Sequence, residues 1–130
     1  MGVLERTKLF LQNNNGKIIG MKNGNFGVVS YVVESNGLKY YIFSNARFFY
    51  KAPEIFKMPE YEDWISISKN ILIDAVNDQA TIVVYLGSSL VLHGSAVDWL
   101  AFCNKNNTYY QNKRFGTLEA CVPSEILTQV

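Results

Sequence analysis

The sequence predicts a single α/β domain, residues 1–130, in which helices flank a central mixed β-sheet. Three observations support this prediction. A helical pattern near the start of the chain precedes several β-branched and aromatic runs, and a second helical pattern leads into a continuous apolar run at residues 80–86. Such a run is typical of a central strand that is buried on both faces. The chain contains no internal repeat and no linker long enough to divide it.

The first predicted element is a short amphipathic helix from Val3 to Gln12. Its apolar residues are separated by the charged residues Glu5, Arg6 and Lys8, and the run Asn13-Asn14-Asn15-Gly16 ends it. Residues 17–21 form the first predicted strand.

A β-hairpin is the next predicted element. Two β-branched and aromatic runs, residues 24–34 and 38–44, flank the sequence Ser35-Asn36-Gly37. Asn-Gly between such runs is the strongest short-range signal for a hairpin, because both residues tolerate the backbone angles of a tight turn.

The remaining chain alternates strand and helix patterns. Residues 45–60 resist assignment because Pro53 and Pro59 interrupt any regular element. Gly94-Ser95 opens a helix that places Asp98 in its first turn, where a carboxylate is favourable. The predicted elements in this part are strands at 64–68, 80–86, 90–92 and 117–122, helices at 70–77 and 95–105, a polar loop at 104–112 and a last turn at 123–127.

Composition restricts the class of protein. Apolar residues make up 48% of the chain and charged residues 18%, which is typical of an ordered globular protein. Cys103 and Cys121 are too few for a disulfide framework and favour a reduced compartment, so we expect a cytoplasmic protein. The chain shows neither a secretory signal pattern nor an apolar run long enough to span a bilayer, and we expect no membrane association.

The densest aromatic and basic cluster lies at residues 39–57, hereafter the aromatic–basic segment. It carries four basic residues against the single acid Glu54, a local charge of about +3 in a chain with a net charge of +1. Cations that contact phosphates and rings that stack on bases are what single-stranded nucleic acid requires. Alternatively, the aromatic residues face the core and the lysines face solvent. The residues we assign to nucleic-acid contact are Lys39, Tyr40, Arg47, Phe48, Tyr50, Lys51 and Lys57.

The order of helix, three strands, helix and strand, from about residue 3 to residue 86, resembles the αβββαβ core of restriction-endonuclease-like nucleases. Residues 24–48 look like the hairpin of the Mrr-type members of that fold. Those members read roughly Gly-Asp-Gly-Gly-Val-Asp, then a hairpin, then a strand ending in Gln-x-Lys or Glu-x-Lys. The acidic residues hold Mg²⁺, and the lysine assists the attacking water.

In this chain the resemblance places the metal-binding Asp at Val29 or Ser30, the Glu or Gln at Phe43 and the Lys at Asn45. All three positions have lost the required side chain. The resemblance therefore implies a nuclease-like fold with a degenerate, inactive site and no bound cofactor.

The same hairpin also resembles a cold-shock domain. Residues 24–29 correspond to its first ribonucleoprotein motif and residues 40–44 to its second. This resemblance implies that Phe26, Tyr41 and Phe43 stack on bases. A cold-shock domain is all-β and about half this length, and we favour the nuclease-like arrangement because residues 68–77 and 95–105 have helical patterns.

Few residues suggest catalysis. His93 is the only histidine, which excludes a metal site built on two histidines from this chain. Asp74 and Asp78 are one helical turn apart and either share a cation or form a solvent-facing stripe. For an active enzyme, the best candidates are Glu5, Glu34 and Lys39, as a Mg²⁺-dependent nuclease.

The sequence leaves three functional hypotheses. The first is an inactive nuclease-like module that associates with DNA or RNA or with an assembly. The second is the Mg²⁺-dependent nuclease. The third is a small protein-binding factor or homodimer that has no nucleic-acid role and uses an exposed aromatic patch at Phe48, Phe49 and Tyr50.

Overall fold

A computed structural model describes residues 2–24, 27–44, 48–49, 56, 58–61, 63–87 and 90–129. Helices alternate with strands along these residues, so the chain is mixed α/β as predicted. The helices are α1 (Val3–Asn13), α2 (Lys69–Asn77) and α3 (Ala96–Asn106), with a 3₁₀ turn at Ser124–Ile126. The strands are β1 (Gly16–Gly24), β2 (Gly27–Ser35), β3 (Leu38–Ser44), β4 (Phe48–Phe49), β5 (Trp64–Ser68), β6 (Thr81–Leu86), β7 (Leu90–Ser95), β8 (Tyr109–Asn112), β9 (Thr117–Pro123) and β10 (Thr128–Gln129).

The larger sheet has the strand order β1-β2-β3-β6-β7-β10. Strands β3 and β6 are parallel, and every other pairing in this sheet is antiparallel. Parallel neighbours need a long crossover, and here α2 lies in the connection between them. The apolar run that predicted a central strand is β6, whose residues 82–85 are all buried.

The hairpin between β2 and β3 has the predicted turn. Asn36 and Gly37 have φ angles of 54° and 79°, and Ser35 pairs with Leu38. Two consecutive residues with positive φ are the signature of the type I′ turn, whose twist matches that of the flanking strands. The Asn-Gly pair therefore fixes the register of the hairpin.

Helices cover both faces of this sheet. On one face, Phe10 of α1 packs against Val33, Ile42 and Val83. On the other face, the apolar residues of β2, β3, β6 and β7 form the main core with α2 and α3, which includes Leu72 and Trp99. The helices and strands of the sequence prediction are thus arranged as a central mixed sheet between helical layers.

A second sheet, with the order β4-β5-β9-β8, was not predicted. Its strands β5 and β9 match the strands expected at 64–68 and 117–122, but they pair with each other and not with the central sheet. The prediction of a polar loop at 104–112 was wrong. Asn107 ends α3 with a φ of 54°, and the half-buried Tyr109 and Tyr110 then begin β8, which pairs with β9.

Helix α3 begins as predicted, because the Ser95 side chain accepts a hydrogen bond from the Asp98 N–H at 3.3 Å. One side of α3 is buried and another is exposed. Trp99 and Cys103 are buried, whereas Val97 is 52% exposed. Within the described residues, no helix has both the length and the apolar character needed to cross a membrane.

Candidate functional site

The positions that the nuclease resemblance assigns to metal ligands are Val29 or Ser30, Phe43 and Asn45. Phe43 is 4% exposed and belongs to the main core, and Val29 packs against the same core. Ser30 is fully buried on β2, next to Val29. Asn45 lies outside the described residues. The place where an acidic cluster would be expected is therefore part of the hydrophobic core.

The strands around these positions contain two β-bulges. Lys22 pairs with Ser30 and Asn23 with Val28, so Val29 is an extra residue in β2. Likewise, Ile18 pairs with Val33 and Gly20 with Val32, which leaves Ile19 as an extra residue in β1. Bulges increase the local twist and change the direction in which side chains point. The bulge at Val29 places this residue on the core side of β2.

The three residues proposed for an active nuclease do not form one cluster. The Glu5 carboxylate accepts a hydrogen bond from the Gly2 N–H at 2.9 Å and lies on the exposed side of α1. Helix α1 covers the sheet face that contains Val33. Because neighbouring residues of a strand point to opposite faces, Glu34 lies on the other side of the sheet from α1. Among the described residues, no group of three or more His, Cys, Asp or Glu side chains could hold a metal ion.

Lys39 and Tyr40, the two residues of the proposed nucleic-acid surface with described side chains, also lie on opposite faces. The Tyr40 ring is 5.1 Å from the Phe10 ring on the α1 face. The Lys39 ammonium is 3.8 Å from the Asp78 carboxylate on the α2 face. A single flat ligand surface therefore cannot use both side chains.

The other residues of the proposed surface are only partly described. Phe48 lies in β4 and pairs with Ile65 of the second sheet. Arg47, Tyr50, Lys51 and Lys57 lie outside the described residues. Within the aromatic–basic segment, three rings are buried in the core, as the alternative interpretation expects; they are Tyr41, Phe43 and Phe56. Tyr41 and Phe43 therefore present no ring to a base, and Phe26 lies outside the described residues.

The face of the sheet that contacts α2 carries a cluster of polar side chains. Tyr41 is fully buried, and its phenol donates a 2.5 Å hydrogen bond to Asp78. The Lys22 ammonium is 3.3 Å from the Asp74 carboxylate and 5.8 Å from the centre of the Tyr41 ring. Five side chains thus join β1 and β3 to the end of α2, and we call them the Tyr41 cluster: Lys22, Lys39, Tyr41, Asp74 and Asp78.

The electrostatics of the Tyr41 cluster explain its composition. Asp74 and Asp78 lie at the C-terminal end of α2, where the helix macrodipole disfavours negative charge, and the last turn of α2 has no basic residue. The two lysines of the strands supply the missing positive charge. Burial, followed by the hydrogen bond to Asp78, raises the pKa of Tyr41 far above its ordinary value. The phenol therefore stays protonated and remains a hydrogen-bond donor.

The contacts of the Tyr41 cluster are suited to stabilising the fold and not to catalysis. Each carboxylate is matched by a lysine, and a protonated phenol with a raised pKa is a poor base or nucleophile. The interpretation of Asp74 and Asp78 as a shared cation site is not supported, because both carboxylates have ammonium partners. Asp74 is also exposed, as the solvent-facing interpretation expects.

Arg6 is a residue that sequence reasoning missed. In the sequence it is one of three charged residues that give the first helix a polar side. The structure buries it, with only 8% of its surface exposed. The available signal was its spacing, because Arg6 and Phe10 are four residues apart and therefore share one face of a helix.

Comparisons of the chain with protein-family models, with curated proteins and with solved structures found no match.

Proposed function

We propose that this chain is a catalytically inactive module with a restriction-endonuclease-like scaffold, which associates with nucleic acid or with a nucleic-acid-bound assembly. The observation that carries the proposal is the connection between β3 and β6. A β1-β2-β3 meander is followed by a crossover through α2 into β6, which lies parallel to β3. This connection supports the proposal, because the αβββαβ order also has three strands, a helix and a further strand in succession. The strands β4 and β5 lie before α2 as two additional strands.

The loss of catalysis is supported by the core positions of Val29 and Phe43. Metal-dependent hydrolysis needs carboxylates that are open to both a cation and water. A buried phenylalanine provides neither a ligand nor an open space for a metal. A scaffold that keeps the hairpin but fills the ligand positions with core side chains is suited to binding without cleavage.

The proposed contact surface is the basic part of the aromatic–basic segment, namely Arg47, Lys51 and Lys57. Lys39 contributes less, because its ammonium has Asp78 as a partner. Binding that depends on a few cations is expected to weaken as salt increases, because phosphate contacts release counterions.

Fluorescence anisotropy tests this proposal. Labelled single-stranded RNA, single-stranded DNA and duplex DNA are titrated with the protein at two salt concentrations, with and without Mg²⁺. We expect salt-dependent binding that is weakened when Arg47→Ala and Lys51→Ala are combined. The matched control combines Lys105→Ala and Lys113→Ala, which removes two exposed lysines from outside the segment and should leave binding unchanged. Absence of binding to all three ligands, or equal loss in both double variants, would contradict the proposal.

A role in protein assembly is the second candidate, and an exposed edge strand favours it. Strand β1 is the outer strand of the larger sheet and exposes Ile18, Ile19 and Met21. Unpaired strand edges can accept a strand from another chain. Under this candidate, size-exclusion chromatography with light scattering detects a dimer that Ile19→Lys or Phe49→Ser disrupts. A monomer at all concentrations, together with salt-dependent nucleic-acid binding, would exclude homodimerisation.

The hypothesis of a Mg²⁺-dependent nuclease that uses Glu5, Glu34 and Lys39 makes a different prediction. It requires cleavage of the labelled nucleic acid with Mg²⁺ or Mn²⁺, and loss of that cleavage in Glu34→Gln. We expect no cleavage from the wild-type protein.

A further inference from the structure

A cavity of about 330 Å³ lies between α1 and the strands β6 and β7, on the opposite side of the sheet from the Tyr41 cluster. Its polar lining comes from Arg6, Asn13 and Asn14 of the first helix and its end, and from Tyr85 and His93 of the strands. Leu9, Phe10 and Val91 form the apolar part of the wall. Its volume is at the lower end of the range for small-molecule sites, which starts at about 300 Å³.

Arg6 is more than nine-tenths buried in this lining. One Nη atom donates a hydrogen bond to the Gly87 carbonyl oxygen, and the guanidinium carbon lies 5.5 Å from the centre of the Tyr85 ring. The buried Nε has no hydrogen-bond partner in the part of the chain that the structure describes. Within the described residues, no carboxylate lies within 4.0 Å of the guanidinium.

A buried guanidinium in such a setting is unusual. Buried charges in proteins are normally paired with an opposite charge, because the loss of hydration is otherwise uncompensated. A carbonyl oxygen and an aromatic face satisfy only part of a group that has five N–H donors. Arg6 therefore retains capacity for an anion.

The rest of the lining favours an anion over a cation. The described residues of the lining include no acidic side chain. Their other polar groups can donate hydrogen bonds, namely the Asn13 and Asn14 amides, the Tyr85 phenol and His93. The Asn14 amide already donates to the Phe10 carbonyl oxygen at 2.9 Å, which occupies one of the carbonyl groups at the end of α1. The remaining carbonyl groups at the end of α1 together carry about half a negative charge. This partial charge is smaller than the full positive charge of Arg6, so the lining still favours an anion.

We propose that this cavity binds a phosphate group, with Arg6 as its principal ligand. The planar guanidinium matches the oxygens of a phosphate and binds them through charge-assisted hydrogen bonds. The cavity is larger than inorganic phosphate, so the apolar wall formed by Leu9, Phe10 and Val91 would contact the group attached to the phosphate. This site is separate from the aromatic–basic segment and does not depend on the function proposed above.

The single histidine provides a direct reporter for the test. His93 lines the cavity and is the only histidine of the 130 residues, so its imidazole gives a unique NMR signal. Wild-type protein is titrated with inorganic phosphate at constant ionic strength, with chloride as the reference. We expect a saturable shift of the His93 signals and a phosphate-dependent rise in Tm, neither of which chloride produces.

The variant Arg6→Met removes the charge while keeping an extended side chain. We expect it to bind phosphate about 10- to 100-fold more weakly, the loss that corresponds to one charge-assisted hydrogen-bonded pair. Without phosphate it should be at least as stable as the wild type, because a buried unpaired charge is removed. Arg114→Met is the matched control, since Arg114 is exposed and lies far along the chain from the cavity lining.

Two further ligands distinguish the source of the phosphate. A short oligonucleotide with a 5′-phosphate is compared with the same oligonucleotide with a 5′-hydroxyl, and both are compared with a small phosphate monoester. Tighter binding of the phosphorylated oligonucleotide assigns the site to a nucleic-acid end, and binding of the monoester alone assigns it to a small metabolite. The absence of any phosphate-specific effect on His93 and Tm in the wild-type protein would overturn the proposal. An Arg6→Met variant that responds to phosphate as the wild type does would overturn it as well.

Discussion

The Tyr41 phenol donates a 2.5 Å hydrogen bond to the Asp78 carboxylate and so joins strand β3 to the end of helix α2. This contact bridges the two ends of the crossover that makes β3 and β6 parallel neighbours. It also gives the hydroxyl of the fully buried Tyr41 the partner that a buried polar group needs.

We expect the Tyr41–Asp78 contact to stabilise the fold measurably. Tyr41→Phe and Asp78→Asn should show a coupling free energy of about 1 kcal/mol in a double-mutant cycle, as measured by urea unfolding. Asp74→Asn is the control, because its carboxylate is half exposed and forms a surface ion pair with Lys22, so its loss should cost no more than about 0.5 kcal/mol. Additive effects of Tyr41→Phe and Asp78→Asn would show that the contact contributes nothing.

Substitutions of Phe43 test whether the position that the nuclease resemblance assigns to a metal ligand is part of the core. Phe43→Glu places a carboxylate among the apolar residues of the main core and should destabilise the protein by at least about 3 kcal/mol. Phe43→Leu, which keeps an apolar side chain, should cost less than about 1.5 kcal/mol. If Phe43→Glu unfolds at the same urea concentration as the wild type, the position is open to solvent and the degenerate-site interpretation loses its structural basis.

The hairpin turn gives a prediction about backbone conformation. Gly37 has a φ of 79°, so Gly37→Ala forces an L side chain into an unfavourable region and should cost about 1 kcal/mol. At Gly20, an added Cβ would approach no atom closer than 4.0 Å, which is ordinary contact, so Gly20→Ala should change stability by less than about 0.5 kcal/mol. Equal effects of the two substitutions in thermal unfolding would mean that the type I′ turn is not required.

His93 makes stability depend on pH. Burial lowers its pKa, so the folded protein holds the neutral imidazole while the unfolded chain protonates near its ordinary value of about 6.5. The unfolded state therefore binds more protons below that value, and the free energy of unfolding decreases as pH falls. Urea unfolding from about pH 8 to about pH 5 should show this decrease in the wild type and a flatter profile in His93→Gln. Identical profiles would show that His93 is not protected from protonation.

Sequence patterns predicted those elements whose signals are local. The Asn36-Gly37 turn, the Ser95 cap of α3 and the apolar run of β6 all depend on neighbouring residues, and the structure has each of them. The pairing of β5 with β9 and the strand Tyr109–Asn112 depend on residues far apart in the chain. The hydrophobic periodicity of the sequence does not show which distant segments pair.

The same distinction applies to the candidate sites. Lys39 and Tyr40 lie on opposite faces of the sheet because neighbouring residues of a strand alternate between its faces. The sequence could have predicted this placement. The burial of Arg6 could also have been predicted, from its four-residue spacing to Phe10. The pairing of Lys22 with Asp74 required the tertiary structure, because the two residues lie far apart in the chain.

The proposed function has two parts, which are the binding of nucleic acid by a nuclease-like scaffold and the absence of cleavage. One experiment tests both parts. A labelled single-stranded oligonucleotide is incubated with the protein and Mg²⁺, and its anisotropy and its length are followed in the same sample. We predict binding that weakens with salt and an oligonucleotide that remains intact. An oligonucleotide that is cleaved, or one that does not bind even at low salt, would contradict the account.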